Sequence, residues 1–384
     1  MSNENHIELE AALDIYINSE TINADNAQQV ISEFDENWKT IVQYDSTRDF
    51  QSKYGLALHK LSYAYFSWSI TSADDIIRLS KLVEEYVNNE RSPYDLTIKW
   101  IVYYIIAACW HKMGNLYDGL AIEALKKYIF YRISPLSYKR FCPTAYVFRK
   151  CDEFLYQSLA NKQLILSSPA KFNDPFDIPI LCLLEEKDKF GLNPLIKQAY
   201  SDCLKIACFT SNIKLSDNEK KEGSNEDEFL NSLMWAHYAD KHTGICIKYI
   251  FDDESLTKLC CEDKSILAFF GDIEYDGGDI LNKSFDSVKE KQAFFYKGVQ
   301  WKYENELRYF YFDVNGEGDY ATVDISNCVG VEAIYFGLKC SPNDRNAIQK
   351  IMEGKNVQFY EIQMDENHFG KLKAVKVPQS HKMS

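Results

Sequence analysis

The sequence lacks the short motifs that identify the commonest nucleotide and metal sites. Neither a Walker A sequence nor a Gly-x-Gly-x-x-Gly sequence occurs in the 384 residues, which argues against P-loop and Rossmann chemistry. Eleven cysteines are present, but no two have Cys-x-x-Cys spacing, and the adjacent Cys260 and Cys261 have no partner pair at zinc-finger distance. The spacing therefore does not predict a structural zinc site.

The chain also lacks a long apolar segment and a surplus of basic residues. Its longest apolar run, residues 100–110, is about half the length of a membrane span, so we expect no membrane insertion. Acidic residues outnumber basic ones by 57 to 43, a net charge of −14, which disfavours strong nonspecific binding to nucleic acid. Residues 1–10 are polar and acidic. We therefore expect a cytoplasmic protein with reduced thiols.

The first third of the chain has the pattern of helices. Apolar residues recur there at three- and four-residue spacing, which predicts an all-helical domain over residues 1–137. Residues 107–117, with Ala121, Ala124 and Leu125, resemble a tetratricopeptide-type hairpin, in which small residues let two helices approach and Gly114 ends the first. A generic helical bundle is the alternative. In either form the domain is expected to offer a docking surface for a protein partner. The predicted helices are 7–18, 27–44, 50–69, 73–88, 93–113 and 116–133.

The pattern changes after Pro135 to short apolar runs separated by Gly, Asn, Asp and Pro, which predicts an α+β domain over residues 138–384. The predicted strands are 163–166, 204–210, 243–249, 272–275, 307–313, 321–324, 331–336 and 357–363. The predicted helices between them are 150–160, 192–201, 226–239, 253–260, 284–295 and 342–354.

The segment Trp-Lys-Tyr-Glu-Asn-Glu-Leu-Arg at residues 301–308 is the strongest candidate for catalysis. If it is extended, Glu304 and Glu306 lie on one face of the strand, about 6.5 to 7 Å apart. Two carboxylates at that distance can bind sugar hydroxyls or stabilise an oxocarbenium ion. The alternative is a solvated strand face on which Lys302 and Arg308 neutralise the glutamates.

Two further segments combine aromatic and polar residues. The first, Phe-Asn-Asp-Pro-Phe-Asp at 172–177, has the composition of a rigid turn, and its aromatic rings are also suited to the wall of a pocket. The second, Trp-Ala-His-Tyr at 235–238, is placed near the end of a helix. A structural role accounts for each segment as well as a binding role does. The candidate binding residues are Phe172, Asn173, Asp174, Phe176, Trp235, His237 and Tyr238.

A metal-dependent hydrolase is a separate possibility for the same region. Carboxylates and imidazoles are common ligands of divalent metals. No His-Glu-x-x-His or comparable spacing occurs, so the reading requires that these side chains converge in the fold. The residues it needs are Asp174, Asp177, His237, Asp240 and His242.

Residues from about 146 to 337 resemble a bacterial family known only as a domain of unknown function. The resemblance is carried by the motifs at 172–177, 234–240 and 301–308, together with an Arg-bearing first strand at 146–149 and an Ile-Tyr-Phe-Gly sequence at 334–337. This resemblance implies no particular activity.

The order of residues is also similar to that of the ADP-ribosyltransferase superfamily. Those enzymes bind NAD between two small sheets, with an Arg or His on the first strand, a hydroxyl residue on a middle element and a Glu-x-Glu pair before a late strand. Arg149, Tyr238 and the pair Glu304 and Glu306 occur in that order. The resemblance implies split sheets, Arg149 on the phosphates or ribose of NAD, aromatic rings on nicotinamide, Glu306 as the catalytic carboxylate and Glu304 orienting the acceptor.

The sequence therefore predicts an NAD-consuming enzyme of ADP-ribosyltransferase or NAD glycohydrolase type, with NAD as its substrate and an unknown macromolecular acceptor. Such a domain joined to helices is typical of a bacterial toxin or antiviral defence effector. The alternative is a non-enzymatic module that binds a nucleotide or a protein. These two functions differ in whether Arg149 and Glu306 share one cleft.

Overall fold

The structure is a computed structural model that describes residues 21–41, 48–68, 71–88, 96–134, 144–174, 177, 190–211, 230–260, 265–276, 294–326 and 329–378. The chain divides into two compact units. Unit 1 comprises Met1–Leu136 and Leu184–Tyr200, and unit 2 comprises Ser137–Leu183 and Ser201–Ser384. The sequence predicts a single boundary after residue 137, whereas in the structure the segment 184–200 belongs with the helical unit.

Helices form the first part of the chain. They are α1 (Ala27–Ile41), α2 (Arg48–Ser67), α3 (Ala73–Asn88), α4 (Leu96–Lys112) and α5 (Asp118–Ile133). The predicted helix at residues 7–18 lies outside the described residues. Helix α4 is buried along most of its length, as its nearly continuous apolar sequence requires.

Helices α4 and α5 form a hairpin. Gly114 has a φ of 115°, a conformation that favours glycine, and it separates α4 from a 3-10 turn at Asn115–Tyr117 that leads into α5. The small residues expected at the contact, Ala107, Ala121 and Ala124, are buried. The described helices thus contain a helical hairpin at the predicted position, and its tetratricopeptide type stays a prediction.

Unit 2 is a mixed α+β structure, which confirms the predicted fold class. Its strands are β1 (Thr144–Arg149), β2 (Gln163–Ser167), β3 (Leu204–Ser211), β4 (Ile245–Phe251), β5 (Ile266–Asp272), β6 (Glu274–Asp276), β7 (Tyr296–Gly298), β8 (Glu306–Asp313), β9 (Tyr320–Asp324), β10 (Val329–Phe336), β11 (Gln358–Met364) and β12 (Leu372–Lys376). The helices are α6 (Glu153–Asn161), α7 (Asn193–Cys203, which begins within unit 1), α8 (Ser232–Tyr238), α9 (Asp253–Leu259) and α10 (Pro342–Ile351).

Ten of these strands form one sheet in the order β12-β11-β10-β4-β1-β3-β2-β9, with β8 paired to β3 and β5 paired to β8. All neighbours in this sheet are antiparallel except β10 and β11. Strands β6 and β7 form a separate parallel pair. The resemblance to ADP-ribosyltransferases implies two small sheets, whereas ten of the described strands form one connected sheet with a split in it.

The split lies along one edge of β3. On that edge β1 pairs with β3 only near Thr210, and β2 pairs with β3 only at Ile206. The opposite edge of β3 pairs with β8 along its whole length. Because β1 and β2 diverge from the same edge, an opening forms beside the middle of β3.

Three predicted elements of unit 2 differ from the structure. Residues 301–304 are not extended, because a 3-10 helix spans Val299–Glu304 and β8 begins only at Glu306. The predicted strand at 272–275 is the end of β5 followed by β6. The helix predicted over 284–295 lies mostly outside the described residues, and Phe294 and Phe295 are in a turn.

No helix among the described residues is both long enough and apolar enough to cross a bilayer.

Candidate functional site

A cavity of about 390 Å³ lies in unit 2 where β1 and β2 separate beside β3. Its volume is within the range of small-molecule sites, about 300–1,000 Å³. Side chains from both diverging strands and from the exposed middle of β3 form its walls. Seven residues that the sequence predicted for a site line this cavity: Arg149, Phe172, Asn173, His237, Tyr238, Glu304 and Glu306.

Three predicted residues do not line the cavity or lie outside the described residues. Trp235 is fully buried, and its ring packs edge-on against Phe148 of β1 with ring centroids 5.2 Å apart. The indole therefore supports the strand that carries Arg149 rather than facing a ligand. Asp174 is described but is not part of the cavity wall. Phe176 lies outside the described residues.

Glu304 and Glu306 reach the cavity by a route that the sequence did not predict. Glu304 ends the 3-10 helix, and Asn305 follows with φ 44° and ψ 55°, the left-handed conformation that asparagine tolerates better than most residues. The Asn305 side-chain amide donates a hydrogen bond of 2.6 Å to the Ser211 carbonyl, and the Ser211 N–H donates one of 3.0 Å to the Asn305 carbonyl. This turn, rather than strand alternation, directs both carboxylates to one place.

Both carboxylates belong to a buried cluster of five charged side chains, which we call the charge cluster: Asp177, Lys297, Glu304, Glu306 and Arg308. The Lys297 ammonium lies 2.6 Å from Glu304 Oε2, 3.2 Å from Glu306 Oε2 and 3.3 Å from Asp177 Oδ2. Since one ammonium reaches all three acids, the carboxylates converge on it from two segments of the chain, at residue 177 and at residues 304–306.

Arg308 is the second cation of the charge cluster and is fully buried. Its Nε donates to Glu306 Oε1 at 2.6 Å, and its Nη2 donates to both Asp177 oxygens at 2.7 and 2.8 Å. Charge-assisted, multiply bonded pairs of this kind are strong and fix geometry. Glu306 and Asp177 are therefore held rigidly at the cavity wall.

The charge cluster contains three carboxylates and two cations, so within it one negative charge is not balanced. Burial alone would raise the pKa of Glu306, but Arg308 and Lys297 outweigh it and lower that pKa to about 2. Burial raises the pKa of Glu304 despite Lys297. The pKa of Lys297 is raised, because its carboxylate neighbours outweigh the effect of burial. Glu306 is thus the more firmly ionised of the two glutamates.

Helix α8 presents the polar aromatic residues of the cavity. The Tyr238 hydroxyl donates a short hydrogen bond to Glu304 Oε1, and burial together with this bond raises the pKa of Tyr238. His237 Nδ1 lies 2.8 Å from the Tyr303 hydroxyl. The short helix begins at the Asn231 cap, whose side-chain oxygen accepts from the Leu233 N–H.

Arg149 is a cation of the cavity wall that does not belong to the charge cluster. It is half-buried at the end of β1 and lines the cavity. Among the residues that the structure describes, no carboxylate forms an ion pair with it, unlike Arg308. A cavity that carries an unpaired guanidinium and a separate excess carboxylate suits a ligand with both anionic and cationic parts.

The structure adds cavity residues that sequence reasoning did not assign to this site. Lys297 and Asp177 belong to it, as does Cys208, the exposed residue in the middle of β3. The sequence predicts Asp177 only as a metal ligand and Arg308 only as a neutralising neighbour of the glutamates. No local sequence pattern predicts that Lys297 contacts the glutamates, because it lies in a separate segment and meets them only through the fold.

The residues needed for metal-dependent hydrolysis do not come together. Within the described part of the chain, no three of Asp174, Asp177, His237, Asp240 and His242 place ligand atoms within 4.8 Å of one another. Asp177 is instead bonded to Arg308. The hydrolase reading has no support from this geometry.

Residues 234–309 match a family described as a protein of unknown function, DUF2971. This segment runs from α8 to β8 and so contains Tyr238, Lys297, Glu304, Glu306 and Arg308. No curated protein and no solved structure matches the chain.

Proposed function

We propose that unit 2 is an NAD-consuming enzyme of the ADP-ribosyltransferase or NAD glycohydrolase type. One observation carries the proposal: Arg149, Tyr238 and Glu306, which come from β1, α8 and β8, line a single cavity. A non-enzymatic module was expected to separate Arg149 from the glutamates, and this geometry does not.

The distribution of charge in the cavity fits a dinucleotide with a cationic end. NAD carries anionic phosphates and a positively charged nicotinamide ring. Arg149 is suited to the phosphates, because a guanidinium forms bidentate bonds with phosphate oxygens. Phe172, which packs against the Arg308 guanidinium at 5.5 Å, and Tyr238 offer aromatic surface for a flat ring.

The charge cluster is suited to breaking the bond between nicotinamide and ribose. Nicotinamide leaves with the electron pair of that bond, and positive charge develops on the ribose. Glu306, kept ionised by Arg308, is placed to stabilise this oxocarbenium ion. A water molecule or an acceptor nucleophile then attacks the ribose and gives up a proton, for which Glu304, with its raised pKa, is the nearby base.

Binding without catalysis is the second candidate for the same cavity. It is favoured by the pairing of Glu306 with both Arg308 and Lys297, which leaves its carboxylate little exposed. In that case the cavity holds NAD or a related nucleotide and releases it unchanged. The enzyme is expected to release nicotinamide from NAD, whereas the binding module is expected to release none.

The test is nicotinamide release by the full-length protein. We expect the wild type to release nicotinamide from NAD, or to transfer labelled ADP-ribose to protein or nucleic acid in an added lysate. Glu306→Gln is expected to reduce the rate by at least about 100-fold, the scale typical for loss of one transition-state contact. The matched control is Glu332→Gln on β10, which is outside the cavity and is expected to keep wild-type activity.

Three outcomes separate the possibilities. Release that depends on Glu306 supports the enzyme. Saturable binding of NAD with no release by any variant supports the binding module. Neither release nor binding contradicts both functions for this cavity.

A cellular role as a toxin or antiviral effector belongs to the same proposal. An enzyme that consumes NAD depletes its host, and the helices of unit 1 are suited to docking a partner that controls it. Expression of the wild type is then expected to slow bacterial growth, and Glu306→Gln is expected to restore it. Equal growth with both chains at equal expression contradicts this role.

A further inference from the structure

Two thiols and a carboxylate of unit 2 meet outside the cavity. The ligand atoms of Cys151, Cys340 and Asp344 all lie within 4.8 Å of one another. None of the three residues lines the cavity described above. Cys340 is buried, and Cys151 is half-buried. The group is therefore shielded on one side and accessible on the other.

The fold brings these residues together from distant parts of the sequence. In the sheet, Arg149 at the end of β1 pairs with Ile245 of β4, and Ile245 pairs with Phe336 at the end of β10. Cys151 follows β1 by two residues, and Cys340 follows β10 by four. Two chain segments that leave the strands on either side of β4, at the same end of the sheet, thus place their thiols side by side.

The carboxylate is supplied by the first turn of α10. Ser341 caps this helix, and its hydroxyl accepts a 3.1 Å hydrogen bond from the Asp344 N–H. The same hydroxyl donates to Asp344 Oδ2 at 2.6 Å, and the Tyr156 hydroxyl of α6 donates to Oδ1 at 2.6 Å. The carboxylate is thus oriented by two hydroxyl donors, and each oxygen retains a lone pair for a further ligand.

We propose that Cys151, Cys340 and Asp344 bind a divalent cation of the zinc type. Thiolate sulfurs bind zinc at about 2.3 Å and carboxylate oxygens at about 2.0–2.2 Å, so ligand atoms on one tetrahedral ion are about 3.6–3.8 Å apart. A spacing within 4.8 Å needs side-chain adjustments of about 1 Å or less to reach this geometry. Two thiolates select zinc or another soft to borderline metal over magnesium or calcium.

The surroundings of the group agree with this assignment. Tyr156 and Ser341 hold the carboxylate in the way that outer hydrogen bonds hold metal-ligating acids. The Cys151 sulfur lies 4.0 Å from the Thr243 carbonyl, to which its proton is directed. Binding of the metal would displace the two thiol protons to solvent. The fourth position of a tetrahedral site is then open to water.

This site differs from the zinc patterns that a sequence search detects. Its two cysteines come from opposite ends of unit 2, and its third ligand is an aspartate three residues beyond the helix cap. The absence of Cys-x-x-Cys pairs argues against zinc fingers and zinc ribbons. It does not argue against a site whose ligands are brought together by pairing of strands in a sheet.

The test uses the reduced, full-length protein, freed of metal by a chelator and titrated with Co²⁺ and then Zn²⁺. We expect one equivalent of Co²⁺ per chain to produce a near-ultraviolet absorption band of cobalt bound to sulfur, and Zn²⁺ to abolish the band by displacement. Cys151→Ser and Cys340→Ser are each expected to remove it. Cys260→Ser, a half-buried cysteine of the same unit outside the group, is the matched control and is expected to keep it.

A milder variant keeps the test decisive if a cysteine variant does not fold. Tyr156→Phe removes one outer hydrogen bond and keeps the ring, and we expect it to weaken Zn²⁺ binding by about 10-fold while the cobalt band is retained. Asp344→Asn is expected to weaken binding further. A cobalt band that is absent in the wild type, or equally strong without Cys151 and Cys340, overturns the proposal. Unchanged affinity in both Tyr156→Phe and Asp344→Asn overturns the role of the carboxylate.

Discussion

At the scale of single residues, Arg308 determines whether the acids of the cavity can stay ionised. It is fully buried and bonds to Asp177 and Glu306. A buried cation of this kind is valuable mainly because its removal leaves carboxylates uncompensated in a medium of low polarity. The same contacts hold Glu306 in place for the proposed chemistry.

Replacing Arg308 is therefore expected to be costly for stability. Arg308→Leu should lower the free energy of unfolding by about 3–5 kcal/mol, the typical effect of removing one partner of a buried ion pair. Urea unfolding measures this loss. The matched control is Lys150→Leu, whose lysine side chain is largely exposed and whose pair with Asp152 should contribute about 1 kcal/mol or less. Equal losses for the two variants would show that burial of the charge cluster does not increase its contribution to the free energy of unfolding.

Glu306 predicts a specific dependence of stability on pH. Its pKa in the folded protein is about 2, below the ordinary value of 4.5. The unfolded chain therefore takes up this proton first as the pH falls, so the contribution of Glu306 is complete above about pH 4.5 and is lost progressively toward pH 2. A difference of this size corresponds to a contribution on the order of 3 kcal/mol.

Urea unfolding at several pH values checks this contribution. Between pH 5 and about pH 2, the wild type should lose more stability than Glu306→Gln, which has no proton to gain at that position. Glu332→Gln serves as the control and should follow the wild type. Parallel curves for the wild type and Glu306→Gln would contradict the lowered pKa.

At the scale of elements, the approach of β4 to β1 sets the position of Arg149. Gly244 precedes β4, and a Cβ atom built on it would lie 2.1 Å from the Arg149 carbonyl oxygen and 3.0 Å from the Ala239 carbonyl oxygen. Both contacts are to backbone, which cannot rotate away. The end of β1 can therefore pair with β4 at this distance only because residue 244 has no side chain.

Gly244→Ala is expected to displace the end of β1. We predict a loss of about 1–3 kcal/mol in the free energy of unfolding, the scale of overpacking, and weaker binding of NAD because Arg149 moves. Gly330→Ala in β10 of the same sheet is the control. No atom lies within 4 Å of its added Cβ, and its effect should stay within about 0.5 kcal/mol. Thermal unfolding of both variants measures the loss of stability, and titration with NAD measures the loss of binding. Equal results for Gly244→Ala and Gly330→Ala would contradict the prediction.

Most elements followed from local patterns in the sequence, but the turn at residues 301–305 did not. Alternation and punctuation are properties of short segments, and they located β2, β3, β8 and β10 to within one or two residues. The conformation of residues 301–305 depends on partners far along the chain, since Asn305 bonds to Ser211 and Glu304 to Lys297. The extended conformation predicted for Glu304 was therefore wrong, although both glutamates line the cavity.

The residues of the cavity likewise divide into those that the sequence predicted and those whose contacts depend on the fold. Arg149, Tyr238 and Glu306 were identified by residue type and order, and the sheet brings them to one place. The ion pairs that Lys297 and Asp177 make in the charge cluster became evident only in the fold, because an ion cluster assembled from separate segments leaves no periodic signal. The roles assigned to all of these residues remain predictions.

At the scale of the whole molecule, the chain crosses three times between its helical and its sheet-containing unit, since residues 184–200 return to the first. Such a return depends on contacts between distant segments, so a boundary drawn from composition alone misses it. The net charge of −14 is also a property of the whole chain. This negative charge disfavours polyanions such as nucleic acids as acceptors or partners.

This charge predicts weak association with polyanions. The full-length protein should not shift random-sequence duplex DNA at about 0.15 M salt, because long-range repulsion opposes the approach of phosphates. A gel-shift titration at two salt concentrations measures this. Tight binding that weakens steeply with salt would instead require a basic surface that outweighs the net charge.

The central claim, that the cavity of unit 2 holds NAD, is tested most directly by a crystal structure of the full-length Glu306→Gln variant soaked with NAD. This variant is chosen so that the dinucleotide stays intact. The proposed function predicts density for NAD inside the cavity, with its nicotinamide ribose beside residue 306 and its phosphates at Arg149. An empty cavity at saturating NAD, or NAD bound only elsewhere on the protein, would contradict it.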